Sequence, residues 1–91
     1  MELVQGENKF CIKDDSGKIL GEIDFLADQN GKYDIVHTEV DPSLGGQGWA
    51  GKLVQAAADY IRSEGKKTSA SCSYASRWLQ RHKEYDDIYD P

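Results

Sequence analysis

The sequence has few of the features that mark secreted, membrane-spanning or disulfide-stabilised proteins. It contains two cysteines, Cys11 and Cys72, and no Cys-x-x-Cys pair, so no disulfide framework is expected. The N-terminus has neither a basic region nor an apolar run. No stretch approaches the roughly 18 apolar residues of a membrane span. We therefore expect a cytoplasmic protein that does not associate with membranes.

Basic residues are also scarce. Eleven Lys and Arg stand against sixteen Asp and Glu, which gives a formal net charge of −5. Nucleic-acid binding needs clustered Lys and Arg to neutralise phosphates, so nucleic acid is not an expected partner. An acidic surface would instead attract a cationic amine or a basic peptide. No metal site is predicted.

The residues that are present suffice for one small domain over residues 1–91. The first forty residues predict an antiparallel meander of three strands, at 9–13, around 19–25 and at 32–40. The pair Asn30-Gly31 is a strong hairpin signal between the last two. Strict alternation would place these residues on one face of the second strand: Ile19, Gly21, Ile23 and Phe25. In the third strand it would group Tyr33, Ile35, His37 and Glu39.

The pattern becomes helical after Pro42. Apolar residues from Trp49 onward follow a helical spacing, and Gly65 is a good stop signal. Residues 68–72 then predict a short strand parallel to the third strand, because a helix separates the two. A second helix is predicted from Tyr74 to His82, capped by Ser71 or Ser73. The predicted fold is α+β, with a meander followed by strand, helix, strand and helix.

The loop at 43–48 holds three glycines and leads from a strand into a helix. Such a loop exposes up to four unpaired backbone amides at the positive end of the helix dipole. A phosphate or pyrophosphate can bind there without basic side chains. Glycines in ordinary tight turns are the simpler explanation of the same pattern. The loop matches neither the phosphate loop of nucleoside triphosphatases, since Leu53 follows Lys52, nor the dinucleotide fingerprint.

The loop resembles motif A of the GNAT acetyltransferase superfamily, Gln/Arg-x-x-Gly-x-Gly/Ala. Gly48 and Ala50 match its fourth and sixth positions, and Gly45 stands where Gln or Arg is usual. The order of four elements resembles a branch of very small GNAT-like proteins: His37-Thr38-Glu39-Val40, the glycine loop, Ser71-Cys72-Ser73-Tyr74 and Arg81-His82-Lys83-Glu84-Tyr85. Ser73 and Lys83 replace prolines of that pattern.

This resemblance implies a mixed sheet splayed into a V, with acetyl-CoA or coenzyme A in the cleft. It implies an N-acetyltransferase with an amine acceptor. Because the chain is acidic, we expect that acceptor to be a small molecule or a basic peptide. We expect the protein to be a monomer or weak dimer. The residues expected to bind the cofactor are Thr38, Glu39, Val40, Gly45, Gly46, Gln47, Gly48, Trp49, Ala50, Gly51, Arg81 and His82. The extra helices that form a substrate wall in larger members are missing, so the acceptor site should be open or completed by a partner.

Cys72, His37 and Tyr74 are the main catalytic candidates. Cys72 would take the acetyl group as a thioester, or it is a small buried hydrophobe. His37 could deprotonate the amine, and Glu39 is a weaker candidate for that role. Tyr74 could protonate the departing CoA thiolate, or pack on the sheet. Two other functions stay open, a CoA-binding or protein-interaction module without turnover and an adaptor whose loop is only a turn.

Overall fold

The structure, a computed structural model describing residues 1–91, contains a five-stranded mixed sheet and two helices. The strands are β1 (Glu2–Gly6), β2 (Lys9–Lys13), β3 (Ile19–Ala27), β4 (Tyr33–Val40) and β5 (Thr68–Ala70). The helices are α1 (Trp49–Ser63) and α2 (Ser73–Arg81), with short 3-10 turns at Pro42–Leu44 and Lys83–Tyr85. Buried residues from the strands and both helices form one hydrophobic core.

The strands lie in the order β1-β2-β3-β4-β5. The first four pair antiparallel and β5 pairs parallel to β4, so the predicted meander and the strand-helix-strand unit are confirmed. Strand β1 was not predicted. It is an edge strand in which only Val4 is partly buried, so its sequence carries no alternation to detect.

Strands β4 and β5 pair over three residues each, Tyr33–Ile35 with Thr68–Ala70. One further bond joins the Cys72 N–H to the Ile35 carbonyl at 3.1 Å. Beyond this point the edge of β4 from residue 36 to 40 has no neighbouring strand. The predicted splay is therefore present, and it leaves half of β4 with an open backbone edge.

Two β-bulges change which side chains share a face. Asp24 pairs with His37 but Phe25 pairs with Ile35, so Val36 is an extra residue in β4. The predicted face is therefore wrong beyond residue 35, and Thr38, rather than His37, lies on the core face. A second bulge at Leu20 turns Ile19 out to solvent, so Ile19 does not share the face of its predicted group.

The residues that flank the two helices determine where each helix begins or ends. Gly48 precedes α1 and Gly65 follows it, both with positive φ (78° and 69°). The N-cap of α2 is Cys72, so the prediction of Ser71 or Ser73 is wrong. The Ser71 hydroxyl donates to the Asp34 carboxylate instead. Neither helix has the length and apolar run that crossing a bilayer requires.

The C-terminal tail lies along the outer edge of β5. The Thr68 N–H donates to the Ile88 carbonyl and the Asp90 N–H donates to the Thr68 carbonyl, both at 2.8 Å. Tyr85 and Ile88 are buried in the core. The tail therefore completes the core beside β5.

Replacing Ile88 by alanine should lower the free energy of unfolding by about 3 kcal/mol, because a buried side chain leaves a cavity. The matched control is Ile19→Ala, since Ile19 is 52% exposed, and it should change the free energy by less than about 0.5 kcal/mol. Urea denaturation measures both. Equal losses would contradict the outward orientation of Ile19 and the docking of the tail.

Candidate active site

The loop between β4 and α1 begins with a capped turn. The Ser43 N–H donates to the Asp41 carboxylate at 2.9 Å, and bonds from Ser43 hold the pKa of Asp41 below its usual value. The amides of Gly45 and Gln47 donate within the loop, to the carbonyls of Pro42 (3.0 Å) and Leu44 (3.4 Å). These two amides are therefore turned away from any ligand.

The other amides at the entrance of α1 have no protein acceptor. They belong to Gly46, Gly48, Trp49, Ala50 and Gly51, because the first bond of the helix runs from the Lys52 N–H to the Gly48 carbonyl. No side chain caps the helix. A Cβ atom at Gly46 or Gly48 would meet nothing within 4 Å. The entrance is thus an open cradle at the positive end of α1, which suits a pyrophosphate.

A cavity of ≈ 280 Å³ joins this cradle to the free edge of β4. It is lined by Val40, Asp41, Pro42, Leu44, Gly45, Gly46, Gly48, Trp49, Ala50 and Tyr74. One end offers backbone amides for an anion, and half of the lining residues are hydrophobic. These features fit a cofactor that carries a diphosphate on one end of a long, partly apolar arm.

Cys72 lies beside the splay, half-buried, with its Sγ 3.6 Å from the Thr38 Oγ1. Burial raises the pKa of the thiol, but the N–H groups of Ala75 and Tyr74 and the Thr38 hydroxyl outweigh it and hold the pKa below its usual value. These amides make no regular capping hydrogen bond to the sulfur and act as oriented dipoles at the start of α2. These contacts make the Cys72 thiol more acidic than an ordinary cysteine.

Cys11 provides an internal comparison. It is buried in β2, and burial together with the Glu22 carboxylate raises the pKa of its thiol. Because the thiolate is the reactive form, iodoacetamide should modify Cys72 about tenfold or more faster than Cys11 near pH 7.5. Peptide mass spectrometry over time measures this ratio. Thr38→Val should slow Cys72 and leave Cys11 unchanged, and equal rates at the two cysteines would contradict the assignment.

His37 and Glu39 lie on the sheet face opposite to Cys72 and Thr38. The His37 Nε2 is 3.4 Å from the Glu39 Oε2, and their side chains are 54% and 76% exposed. A second cavity of ≈ 310 Å³ adjoins Glu39 and is lined by Ile19, Leu20, Gly21, Glu22, Glu39, Val40, Asp41 and Pro42. The two cavities share the end of β4, and the second has three acidic side chains.

Helix α2 closes one side of the ≈ 280 Å³ cavity with Tyr74. It approaches α1 at Gly51, where a Cβ would lie 3.1 Å from the Trp78 Nε1 and 3.7 Å from the Tyr74 hydroxyl. The ring of His82 stacks on Trp78 with centroids 3.7 Å apart, and its Nδ1 lies 2.7 Å from the Trp78 carbonyl. His82 therefore binds its own helix end, and Arg81 is exposed.

Two features of the site were not predicted from the sequence. Thr38 meets Cys72 only because the bulge at Val36 turns it toward the core face. The Lys52 ammonium lies 4.2 Å above the ring of Trp49, an i, i+3 pair in the first turn of α1. Helical spacing alone could have suggested this second contact.

Comparisons with known proteins agree with this geometry. A family model described as GCN5-related N-acetyl-transferase matches residues 9–88. A GCN5-like protein from Staphylococcus aureus with a known solution structure is 42% identical with a TM-score of 0.80, and the match covers 98% of this chain and 87% of that one. No curated protein matches the chain.

Two more distant structures share the fold. A GNAT family N-acetyltransferase from Escherichia coli, crystallised with CoA, is 25% identical with a TM-score of 0.64, covering 78% of this chain and 44% of that one. Glucosamine-6-phosphate N-acetyltransferase from Arabidopsis thaliana is 20% identical with a TM-score of 0.53, covering 88% and 56%. CoA or acetyl-CoA is the usual cofactor of this group, and the chain belongs to the GCN5-related N-acetyltransferase family.

Proposed function

We propose that the protein transfers an acetyl group from acetyl-CoA to an amine. The observation that carries this proposal is the set of unpaired amides at the entrance of α1, which opens into a cavity leading to the free edge of β4. The whole of residues 1–91 acts as one domain in this proposal, since β2 and the tail pack on the same core. The two unpaired cysteines fit a reducing compartment, and we propose the cytoplasm.

The cofactor would be held mainly by backbone. The amides of Gly46, Gly48, Trp49 and Ala50 would donate to the pyrophosphate. The open edge formed by Thr38, Glu39 and Val40 can pair with the amide groups of the pantetheine arm, as one strand pairs with another. Bound acetyl-CoA supplies an activated acyl group as a thioester. A strongly acidic chain can therefore bind an anionic cofactor without a basic cluster.

Cys72 is proposed to act on that thioester. Its thiolate would attack the acetyl carbonyl, the new bond from Sγ to carbon would form, and the bond from carbon to the CoA sulfur would break. Tyr74, which lines the cavity, would donate its proton to the departing CoA thiolate. One thioester replaces another, so the exchange needs no further energy source. The amine would then attack the acetyl group on Cys72 and release the thiolate.

The amine would approach from the opposite face of the sheet. An ammonium must lose a proton before it can attack, and the His37 imidazole on that face is the proposed proton acceptor. Glu39 would stabilise the protonated imidazole from 3.4 Å. The second cavity, with Glu22, Glu39 and Asp41, would attract a cationic acceptor. No helix forms a wall there, so a peptide acceptor could reach the site as readily as a small amine.

Incubation with radiolabelled acetyl-CoA tests the proposal, with a polyamine and a lysine-rich peptide as acceptors. We expect labelled acceptor, and amide chemical shift changes at 46–51 when CoA is titrated alone. CoA binding without transfer to any acceptor would favour the second candidate, a CoA-binding module, which the Gly45 replacement of Gln or Arg in the motif supports. Absence of shift changes at millimolar CoA would refute both.

A further inference from the structure

Helix α1 begins without a negatively charged side chain. The chain has sixteen acidic residues, yet the first turn of α1 has none, and no side chain caps it. Lys52 lies there instead, one turn into the helix. A cation near a helix N-terminus is unfavourable, because the dipole already places partial positive charge there. This composition suits a helix start that binds more than one anionic group.

The Lys52 side chain lies over Trp49, a residue that lines the cavity at the start of α1. Its ammonium is 4.2 Å from the ring centroid of Trp49, and Trp49 is half-buried and lines the cavity beside Gly48 and Ala50. A cation on an exposed aromatic face is held weakly, by about 0.5–1 kcal/mol. The ammonium can therefore leave the indole for a stronger acceptor at little cost.

CoA carries two separate anionic groups, the pyrophosphate and the 3′-phosphate, and an adenine ring. The pyrophosphate has its partners in the free amides of the loop, whereas the 3′-phosphate on the adenosine ribose needs another donor. His82 and Arg81 were the candidates from the sequence. The His82 Nδ1 lies against the Trp78 carbonyl and its ring is stacked on Trp78. Arg81 is exposed at the opposite end of α2 from Tyr74, which lines the cavity. Arg77, one turn from Tyr74, donates to the Ser73 carbonyl. Lys52 has no carboxylate partner, and its contact is an aromatic ring.

We propose that Lys52 and Trp49 recognise the phosphorylated adenosine of CoA and distinguish it from dephospho-CoA. Lys52 donates to the 3′-phosphate, and the indole face that it leaves receives the adenine ring, since bases stack on aromatic side chains. This inference rests on the proposed function for its cofactor. It concerns the choice between two cofactor forms that share the same pyrophosphate and pantetheine arm and differ only in the 3′-phosphate.

Isothermal titration of the full chain with CoA and with dephospho-CoA tests the lysine. We expect the wild type to bind CoA about tenfold more tightly, and Lys52→Gln to lose that preference through weaker CoA binding. The matched control is Lys67→Gln, which removes the same charge beyond the far end of α1, a helix of 15 residues and about 22 Å. It should keep the preference.

Three results would overturn the inference, and they separate it from the proposed function. A wild type that binds CoA without preference overturns it and leaves acetyl transfer intact. An equal loss for both ligands in Lys52→Gln also overturns it, because the lysine would then act on the shared pyrophosphate. A wild type that binds neither ligand overturns both proposals.

Tryptophan fluorescence tests the proposed stacking of adenine on Trp49 without any activity measurement. Adenine stacking should quench emission when either ligand binds, and Trp49→Phe should remove most of this quenching while Trp78 still emits. Quenching that persists at full amplitude in Trp49→Phe would show that the base does not stack on Trp49, and would overturn this half of the inference.

Discussion

Replacing Gly48 by aspartate should weaken CoA binding about 100-fold or more, while asparagine at the same position should weaken it less than about tenfold. Gly48 has φ 78° and open space around its missing Cβ. Asn and Asp have the same shape and both tolerate this backbone region better than other residues. The two variants therefore differ mainly in a negative charge at the proposed pyrophosphate site, where like charges about 4 Å apart repel by several kcal/mol at an effective dielectric of about 20.

Stability measurements separate this effect from misfolding. A carboxylate at the N-cap of α1 interacts favourably with the helix dipole, so Gly48→Asp should unfold at the same or a higher urea concentration than Gly48→Asn. A stable protein that has lost CoA binding would be the expected outcome. Equal affinities for CoA in the two variants would place the pyrophosphate somewhere other than the entrance of α1.

The sequence predicts the parts of the fold that depend on local chemistry. Asn30-Gly31 specifies the hairpin between β3 and β4, and Gly31 does adopt a positive φ of 81°. Helical spacing after Trp49 and the stop at Gly65 define α1 within two residues. The glycine loop was identifiable for the same reason, because a loop between a strand and a helix has a known set of free amides.

The parts that the sequence does not predict depend on tertiary pairing. Strand β1 is held by backbone bonds to β2 and buries little. The bulge at Val36 follows from the register of β3 against β4, and it decides that Thr38, rather than His37, meets Cys72. Cys72 becomes the N-cap of α2 because the Ser71 side chain pairs with Asp34, 37 residues earlier.

Replacing Cys72 by alanine should abolish any acetyl label retained on the protein and slow acetyl transfer by about 100-fold or more. The thiolate that the amides at the start of α2 and the Thr38 hydroxyl stabilise would then be absent. Denaturation followed by autoradiography detects the label, and release of free CoA thiol measures the rate. Isothermal titration should show unchanged CoA affinity, because the amides at α1 that bind the pyrophosphate are unaffected.

Cys72→Ser is a more specific test than Cys72→Ala, because serine keeps the shape of the side chain and removes only the thiolate. Serine is a preferred N-cap, so Cys72→Ser should be at least as stable as the wild type, and its hydroxyl can still bond Thr38. Its much weaker acidity should nevertheless leave transfer as slow as in Cys72→Ala. Cys11→Ser, which changes the other thiol, should retain both the label and the rate. If Cys72→Ser and Cys72→Ala transfer acetyl groups at the wild-type rate, the amine attacks acetyl-CoA directly and Cys72 has only a capping role.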